Sequence, residues 1–304
     1  MASGDDNDET DGASGSTLPR RQLGRFLREC REANGFTIAA AAKLADLSAS
    51  ALQRIEAGQT QKVRKQDVRA LCEVYGVGSG ELRAAMDLAA IARTQSWYHA
   101  YGGLYSEAFN MYTGLEVAAS RLTTYHEHIP GLLQTADYAR AVIGAYPGFT
   151  SRADIDRRVE HRMRRQVIVT RKTHPIELEV LLHESALHRV IGGRSIMAAQ
   201  LRHLAEVSKL PNVRVRIHPF TAGLTWGMPR GSFTLLEFES DGERAEPPIV
   251  YIEGGPTQDV YLEKPDEVRL YSELAAAIRS ATLEDGPTRE LIRRVIKEYE
   301  HGQR

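Results

Sequence analysis

The stretch from Thr37 to Thr60, TIAAAAKLADLSASALQRIEAGQT, constrains the fold more than any other part of this 304-residue chain. Thr37 is placed to cap a helix over Ile38–Ala45, because its hydroxyl can accept from the unpaired amides of the first turn. Ala41, Ala42 and Ala45 are small where a second helix must approach closely. Asp46–Leu47 forms the turn, with Leu47 pointing inward. Ser48 caps a second helix on which Leu52 and Ile55 share one face. Gly58 follows that helix, where a left-handed residue meets no Cβ clash. Two short helices and a tight turn thus each have a local cause, but the pair has no core of its own.

The flanks must supply that core. Upstream, Leu23, Phe26, Leu27 and Cys30 recur at i, i+3, i+4 and i+7 and predict a helix from Pro19 to Asn34. Pro19 suits its first turn and Asn34-Gly35 its end. Downstream, Val68, Leu71, Cys72 and Tyr75 mark a fourth helix, and Leu82, Ala85, Met86 and Ala89 a fifth. Five helices over residues 18–90 make an all-α domain large enough to fold alone.

These residues resemble the Cro/C1-type (Xre-like) helix-turn-helix repressor domain. The match is carried by Ala42 in the close-packing position, Leu47 in the turn, the Leu52/Ile55 pair, "IEAGQT" after the second motif helix, and "YGVGSGEL" (Tyr75–Leu82). The family usually has glycine where this chain has Asp46, a residue that tolerates left-handed geometry better than most. The resemblance implies double-stranded DNA as partner, read by a homodimer at a pseudo-palindromic operator. It directs Ala49, Ser50 and Arg54 to base edges, with Ser48 and Gln53 adjacent. A guanidinium at Arg54 can grip guanine O6 and N7 together; its other account is a surface arginine paired with Glu56 or Asp46. Phosphate contacts fall to Thr37 and Ile38 at a helix N-terminus and to Lys62, Arg64 and Lys65. That basic run is otherwise only a solvated loop.

Charge supports the DNA reading once it is localised. The whole chain carries −1, but residues 1–17 carry −5, residues 18–86 carry +5 and the remainder −1. The basic excess sits on the five-helix region, as an electrostatic footprint should. Residues 1–17 are acidic, Gly/Ser-rich and almost without apolar side chains, and read as a disordered tail rather than a signal peptide. No run approaches the ~20 apolar residues of a membrane span. Cys30 and Cys72 both fall on apolar stripes, which suits reduced core thiols in a cytoplasmic, nucleoid-associated protein.

From Ile91 the pattern changes, and residues 91–110 read as a junction rich in aromatics around Gly102-Gly103. Residues 111–304 read as an α+β domain, a small and largely antiparallel sheet with covering helices. Helices are predicted at Ser106–Ser120, Thr135–Gly144, Ser151–Thr170, Arg194–Ser208, Asp266–Ala281 and Thr288–Tyr299. Strands are predicted at Ile176–Leu182, Val213–His218, Gly231–Phe238, Ile249–Ile252 and Asp259–Leu262.

Several blocks of this region are similar to the C-terminal domain of WhiJ-type, antitoxin-like regulators of filamentous actinobacteria. They are "HIPGLLQTADYARAVI" (His128–Ile143), "RMRRQ" (Arg162–Gln166), "ALHRVIGG" (Ala186–Gly193), "QLRHLAEVSKLPNVRVRIHPF" (Gln200–Phe220) and "GSFTLLEF" (Gly231–Phe238). That resemblance implies a regulator of development or secondary metabolism with a small partner protein encoded nearby. The alternative is an interaction protein of a toxin–antitoxin-type pair whose DNA binding is autoregulatory.

No enzymatic signature accompanies these features. His126 and His128, with His161 or His183, invite a metal reading, but no HExxH or CxxC motif supports it. No catalytic residue, metal or cofactor is expected. Partner or effector binding is assigned to Trp97, Tyr98, Arg158, Arg162, Arg165, Trp226 and Met228. The arginines give one helix a basic surface, or else form a solvated helix pairing with Asp154, Asp156 and Glu160. Trp226 and Met228 sit in a Gly/Pro-punctuated loop and either line a binding surface or fold back onto the core.

Overall fold

A computed structural model of the chain describes residues 17–60, 62–93, 101, 104–146, 148, 151–239, 246–254 and 259–301. Two compact units are present, Met1–Ala100 with Thr113–Ala118, and Tyr101–Tyr112 with Ala119–Arg304. Residues 1–16 of the expected tail lie outside the described residues, while Thr17 already belongs to the first helix and is buried.

The N-terminal unit contains α1 (Thr17–Ala33), α2 (Ile38–Leu44), α3 (Ala49–Glu56), α4 (Lys65–Val74) and α5 (Ser79–Ile91). Both expected caps form. Thr37 Oγ1 accepts from the Ala40 amide at 3.2 Å and Ser48 Oγ from the Ala51 amide at 3.1 Å. Asp46 takes the left-handed conformation (φ +56°) that the turn demands. The Leu47 amide then returns to Ala42 O at 2.8 Å and closes the end of α2. Leu23, Leu27, Leu52, Val68 and Leu71 are fully enclosed in one core. Cys72 is buried there and Cys30 half-buried, both as free thiols. Burial pushes the Cys72 thiol up to about 11, and Cys30 also rises.

The second unit is built on a six-stranded sheet of order β3-β2-β1-β4-β5-β6. Its strands are β1 (Arg121–His126), β2 (Glu177–His183), β3 (Val213–His218), β4 (Phe233–Glu237), β5 (Ile249–Ile252) and β6 (Val260–Leu262). β1, β2 and β3 run parallel, whereas the β1–β4, β4–β5 and β5–β6 pairings are antiparallel. α6 (Glu107–Ala118) is divided between the two units at Tyr112, and the helices of the second unit are α7 (Ala136–Gly144), α8 (Arg152–Arg165), α9 (Val167–Thr170), α10 (Ser185–His188), α11 (Arg194–Val207), α12 (Pro265–Ser280) and α13 (Asp285–His301). Parallel neighbours require crossovers, and α7–α9 and α10–α11 provide them.

α12 covers one face of the sheet, its Leu274, Ala275 and Ile278 packing on Tyr125, Leu181 and Phe233. The other face presents Leu122, Leu178, Leu236 and Ile249, all buried and in register. β1 was not expected from the sequence, yet it is central. Its two threonines are buried, and Thr124 Oγ1 lies 2.9 Å from Phe233 O and 3.0 Å from Thr234 Oγ1.

The "PGLLQT" segment becomes a 3₁₀ turn, Gly131–Leu133, threaded through the interior. Buried backbone must find partners, and three glutamines supply them. Gln134 Nε2 donates to Ile129 O at 2.7 Å, and Gln166 Nε2 to Gly131 O and Gln134 O. Gln200 donates to Leu133 O and accepts from the Thr135 amide, both at 2.7 Å. The motif is a packing device held by side-chain amides.

On the α12 face, Glu179 of β2 forms a two-pronged pair with Arg279 (2.9 and 2.7 Å), with Arg216 at 4.0 Å. Burial alone would raise the Glu179 carboxyl, but Arg279, Arg216 and Arg121 outweigh it and hold it below its ordinary 4.5. A carboxylate with a depressed folded pKa stabilises above its unfolded value, and that stability is lost as pH falls through the folded value. Thermal midpoints measured on descending from roughly pH 5 should therefore fall more steeply in wild type than in Glu179→Gln. Parallel curves for the two proteins would remove Glu179 from the acid response.

Candidate nucleic-acid interface

α3 presents two different faces. At about 100° per residue, Ala49, Ser50, Gln53 and Arg54 fall within one arc of about 140°, and all four are exposed. Leu52, Ile55 and Glu56 point the other way and are buried. Ser48 is exposed at the cap, its Oγ 3.2 Å from Ser50 Oγ. Among the described residues Arg54 makes no ion pair. Glu56 is turned inward onto Arg31, so the pairing that competed with base contact is not formed.

That inward pair is what positions α3. Arg31 Nε and Nη2 donate to the two Glu56 oxygens at 2.7 and 2.9 Å, and Arg31 Nη1 donates to Phe36 O at 2.9 Å. Arg28 Nη2 adds a bond to Glu56 O at 3.1 Å. The hydrogen bonds to Glu56 raise the Arg31 pKa above its ordinary value. Beside them α1 crosses α3 at Gly24, where a Cβ would lie 2.5 Å from Ile55 O. Gly58 (φ +68°) ends the segment with its α-carbon so near Arg21 that a Cβ would meet the Arg21 Cα at 3.0 Å. The helix is clamped at its C-terminal end, and its N-terminal half is left exposed.

The residues expected at phosphates are also placed on the surface, with one exception. Thr37, Lys62, Arg64 and Lys65 are exposed, while Ile38 is half-buried and packs against the core. Ile38 could therefore contribute only its amide, one of the first-turn N–H groups without an intrahelical acceptor. Arg64 shares its charge with Asp67 at 3.0 Å. Lys62 and Lys65 have no ion pair among the described residues.

The second unit places its predicted residues less uniformly. Trp97 and Tyr98 lie outside the described residues. Arg158 and Arg165 do not form a basic surface. Both are buried, Arg158 over the Tyr105 ring at 4.7 Å and Arg165 over Phe109 and Tyr112 at 5.2 and 5.4 Å. The aromatic faces attract the guanidinium groups inward and offset part of their desolvation. Arg162 is partly exposed and bonds to Gln134 at 2.8 Å. In the loop after β3, Met228 packs against the α12 core while Trp226 stands out, 57% exposed, near Leu224 in sequence at 80%. No group of three or more His, Cys, Asp or Glu side chains among the described residues could hold a metal ion. His126 and His128 form an edge-on ring pair at 5.3 Å, and burial first and then the neighbouring imidazole depress His126 to about 3.

Two family models match the chain. A helix-turn-helix domain model covers residues 22–86, from within α1 to within α5. A model described as a domain of unknown function (DUF5753) covers residues 109–294, more than half of the chain. The chain belongs to the DUF5753 family. No curated protein and no solved structure gives a significant match. The DUF5753 match contains all six strands, so the sheet is the framework of that domain. The helix-turn-helix match supports a DNA-binding regulator, and no described helix of this DUF5753 chain is long and apolar enough to cross a membrane.

The clamp on α3 was missed in the sequence, although a signal exists. Arg31 continues the i, i+4 stripe of Leu23 and Leu27, and Glu56 directly follows buried Ile55 on the apolar side of α3. Opposite charges at apolar-face positions of two helices point to a buried pair.

Proposed function

We propose that this protein is a sequence-specific transcription regulator that reads DNA with α3. Ser48, Ala49, Ser50, Gln53 and Arg54 are the base-reading set, and Thr37, Ile38, Lys62, Arg64 and Lys65 the phosphate-binding set. The observation that carries the assignment is Arg54, exposed and without an ion pair among the described residues, on a helix clamped from behind. The +5 charge of residues 18–86 favours this unit for a polyanion. Two half-sites one helical turn apart would be read by a homodimer, in a cytoplasmic, nucleoid-associated setting.

The C-terminal unit serves in this account as the regulatory module, taking an effector or a small partner protein. Its sequence resemblance to WhiJ-type regulators supports a role in development or secondary metabolism. The exposed Trp226 and Leu224 support partner docking, and with it the antitoxin-like alternative in which DNA binding is autoregulatory. That alternative predicts a tight protein complex in the absence of DNA, detectable by co-purification with the product of an adjacent small gene.

Phosphate and base contacts are separable by salt. Lys62→Ala should weaken binding to all duplexes similarly and lower the slope of log K against log salt by about 1. Anisotropy titrations at several salt concentrations check this. An unchanged slope would take Lys62 off the phosphate path.

A further inference from the structure

The sheet reverses its direction of growth at β1. The chain steps in parallel from β1 to β2 to β3, then returns to lay β4 on the opposite side of β1. In open α/β sheets, ligands sit outside the carboxyl ends of parallel strands, and β1, β2 and β3 present those ends together. At that end of β1 lie His126, His128 and the 3₁₀ turn, and α8 delivers Arg162 to the same loop.

Arg162 is held by one edge only. Its Nη1 donates to Gln134 Oε1 at 2.8 Å, and Gln134 is itself fixed by Ile129 O. Its Nε is completely enclosed and meets no acceptor among the described residues. Nη2, which shares an edge of the fork with Nε, has no acceptor among them either. No carboxylate stands within ion-pair distance of Arg162 among the described residues; Glu253 acts on it only from further away. Arg165 adds a like charge. His126 Nδ1 is likewise enclosed without an acceptor. His128 is held below its ordinary pKa by burial first, then by the charges of Arg162 and Arg189, against a small opposing effect of Glu127. A half-buried guanidinium with an enclosed, unpaired Nε and no counter-charge in contact is costly.

We propose that the carboxyl end of β1 binds a compact oxyanion, the carboxylate or phosphate of a small molecule, across the Nε–Nη2 edge of Arg162 beside the His126–His128 pair. Two parallel N–H···O bonds from one guanidinium edge match either oxyanion. The inference rests on the assignment of the C-terminal unit as an effector-binding module and gives that effector a chemical class. The site lies in the second unit and shares no residue with α3.

The test uses the full-length protein with ¹⁵N-labelled arginine, the Arg162 Nε–H resonance being assigned by its loss in Arg162→Lys. Inorganic phosphate and acetate are titrated separately at constant ionic strength against chloride. A saturable shift of this resonance with phosphate, acetate or both is expected, and which anion acts distinguishes a phosphorylated from a carboxylic ligand. By calorimetry, Arg162→Gln should weaken binding on the order of ten- to a hundred-fold, the loss typical of hydrogen bonds to a charged group. Arg162→Lys, which keeps the charge and loses the fork, should fall between. If neither anion moves the wild-type resonance more than chloride does, the site is refuted, whether or not Arg162→Gln folds. Unchanged affinity in a folded Arg162→Gln refutes it equally. Operator binding is measured on the same samples. Loss of anion binding with DNA binding intact overturns this site alone, whereas absent DNA binding overturns the regulator function and leaves the anion result standing.

Discussion

Replacing Glu56 by alanine is expected to destabilise the N-terminal unit by about 3–5 kcal/mol. The carboxylate and the Arg31 guanidinium are both nearly inaccessible, with 3% and 9% of their side-chain surfaces exposed. Removing one partner leaves the other charge buried without compensation, which costs far more than the pair contributes relative to apolar groups. The double replacement Arg31→Met, Glu56→Leu should accordingly recover most of the loss. Because the chain has two units, a single unfolding transition is not assumed. Native-state hydrogen exchange over α1–α4 in the full-length protein reads the opening free energy of this unit directly. A change below about 1 kcal/mol in Glu56→Ala, the size of a typical surface substitution, would mean that the pair does not hold α3.

Arg54→Ala should cost roughly 1–3 kcal/mol of operator binding and relax preference at one base position. The expectation follows from what the side chain does in the free protein. It has no ion pair to give up among the described residues, so its hydrogen bonds to a base edge would not be offset by a broken internal pair. Arg54→Lys keeps the charge and removes the fork, so non-specific affinity should survive while discrimination falls. Equal losses on operator and random duplexes would make Arg54 another phosphate contact.

The N-terminal unit was legible because each of its features is local. A cap hydroxyl, a turn residue that accepts φ +56° at Asp46, and apolar positions three and four apart are all written within a few residues of where they act. Helix ends accordingly fall within a few residues of expectation. The sheet was less legible. Its parallel half depends on crossovers that no short window encodes, and its central strand β1 is spelled RLTTYH. Both threonines are buried, the Thr124 hydroxyl finds its partner across the sheet on β4, and no local pattern announces that. The arginines of α8 show the same limit. Read along the helix they resemble a solvated basic face, but Arg158 and Arg165 turn inward onto rings some 50 residues away in sequence. The Glu56 carboxylate, assigned from sequence proximity as a rival for Arg54, belongs instead to a helix 25 residues upstream.

The central claim is that the exposed face of α3 reads base sequence, and selection from a random duplex pool tests it most directly. The full-length protein and its Arg54→Ala variant are taken through the same enrichment at one salt concentration, and the recovered sequences are compared. The account predicts a two-fold-related motif for the wild type, with information lost at corresponding positions of both half-sites in Arg54→Ala. Recovery of no motif by the wild type, or of the same motif by both proteins, would contradict it.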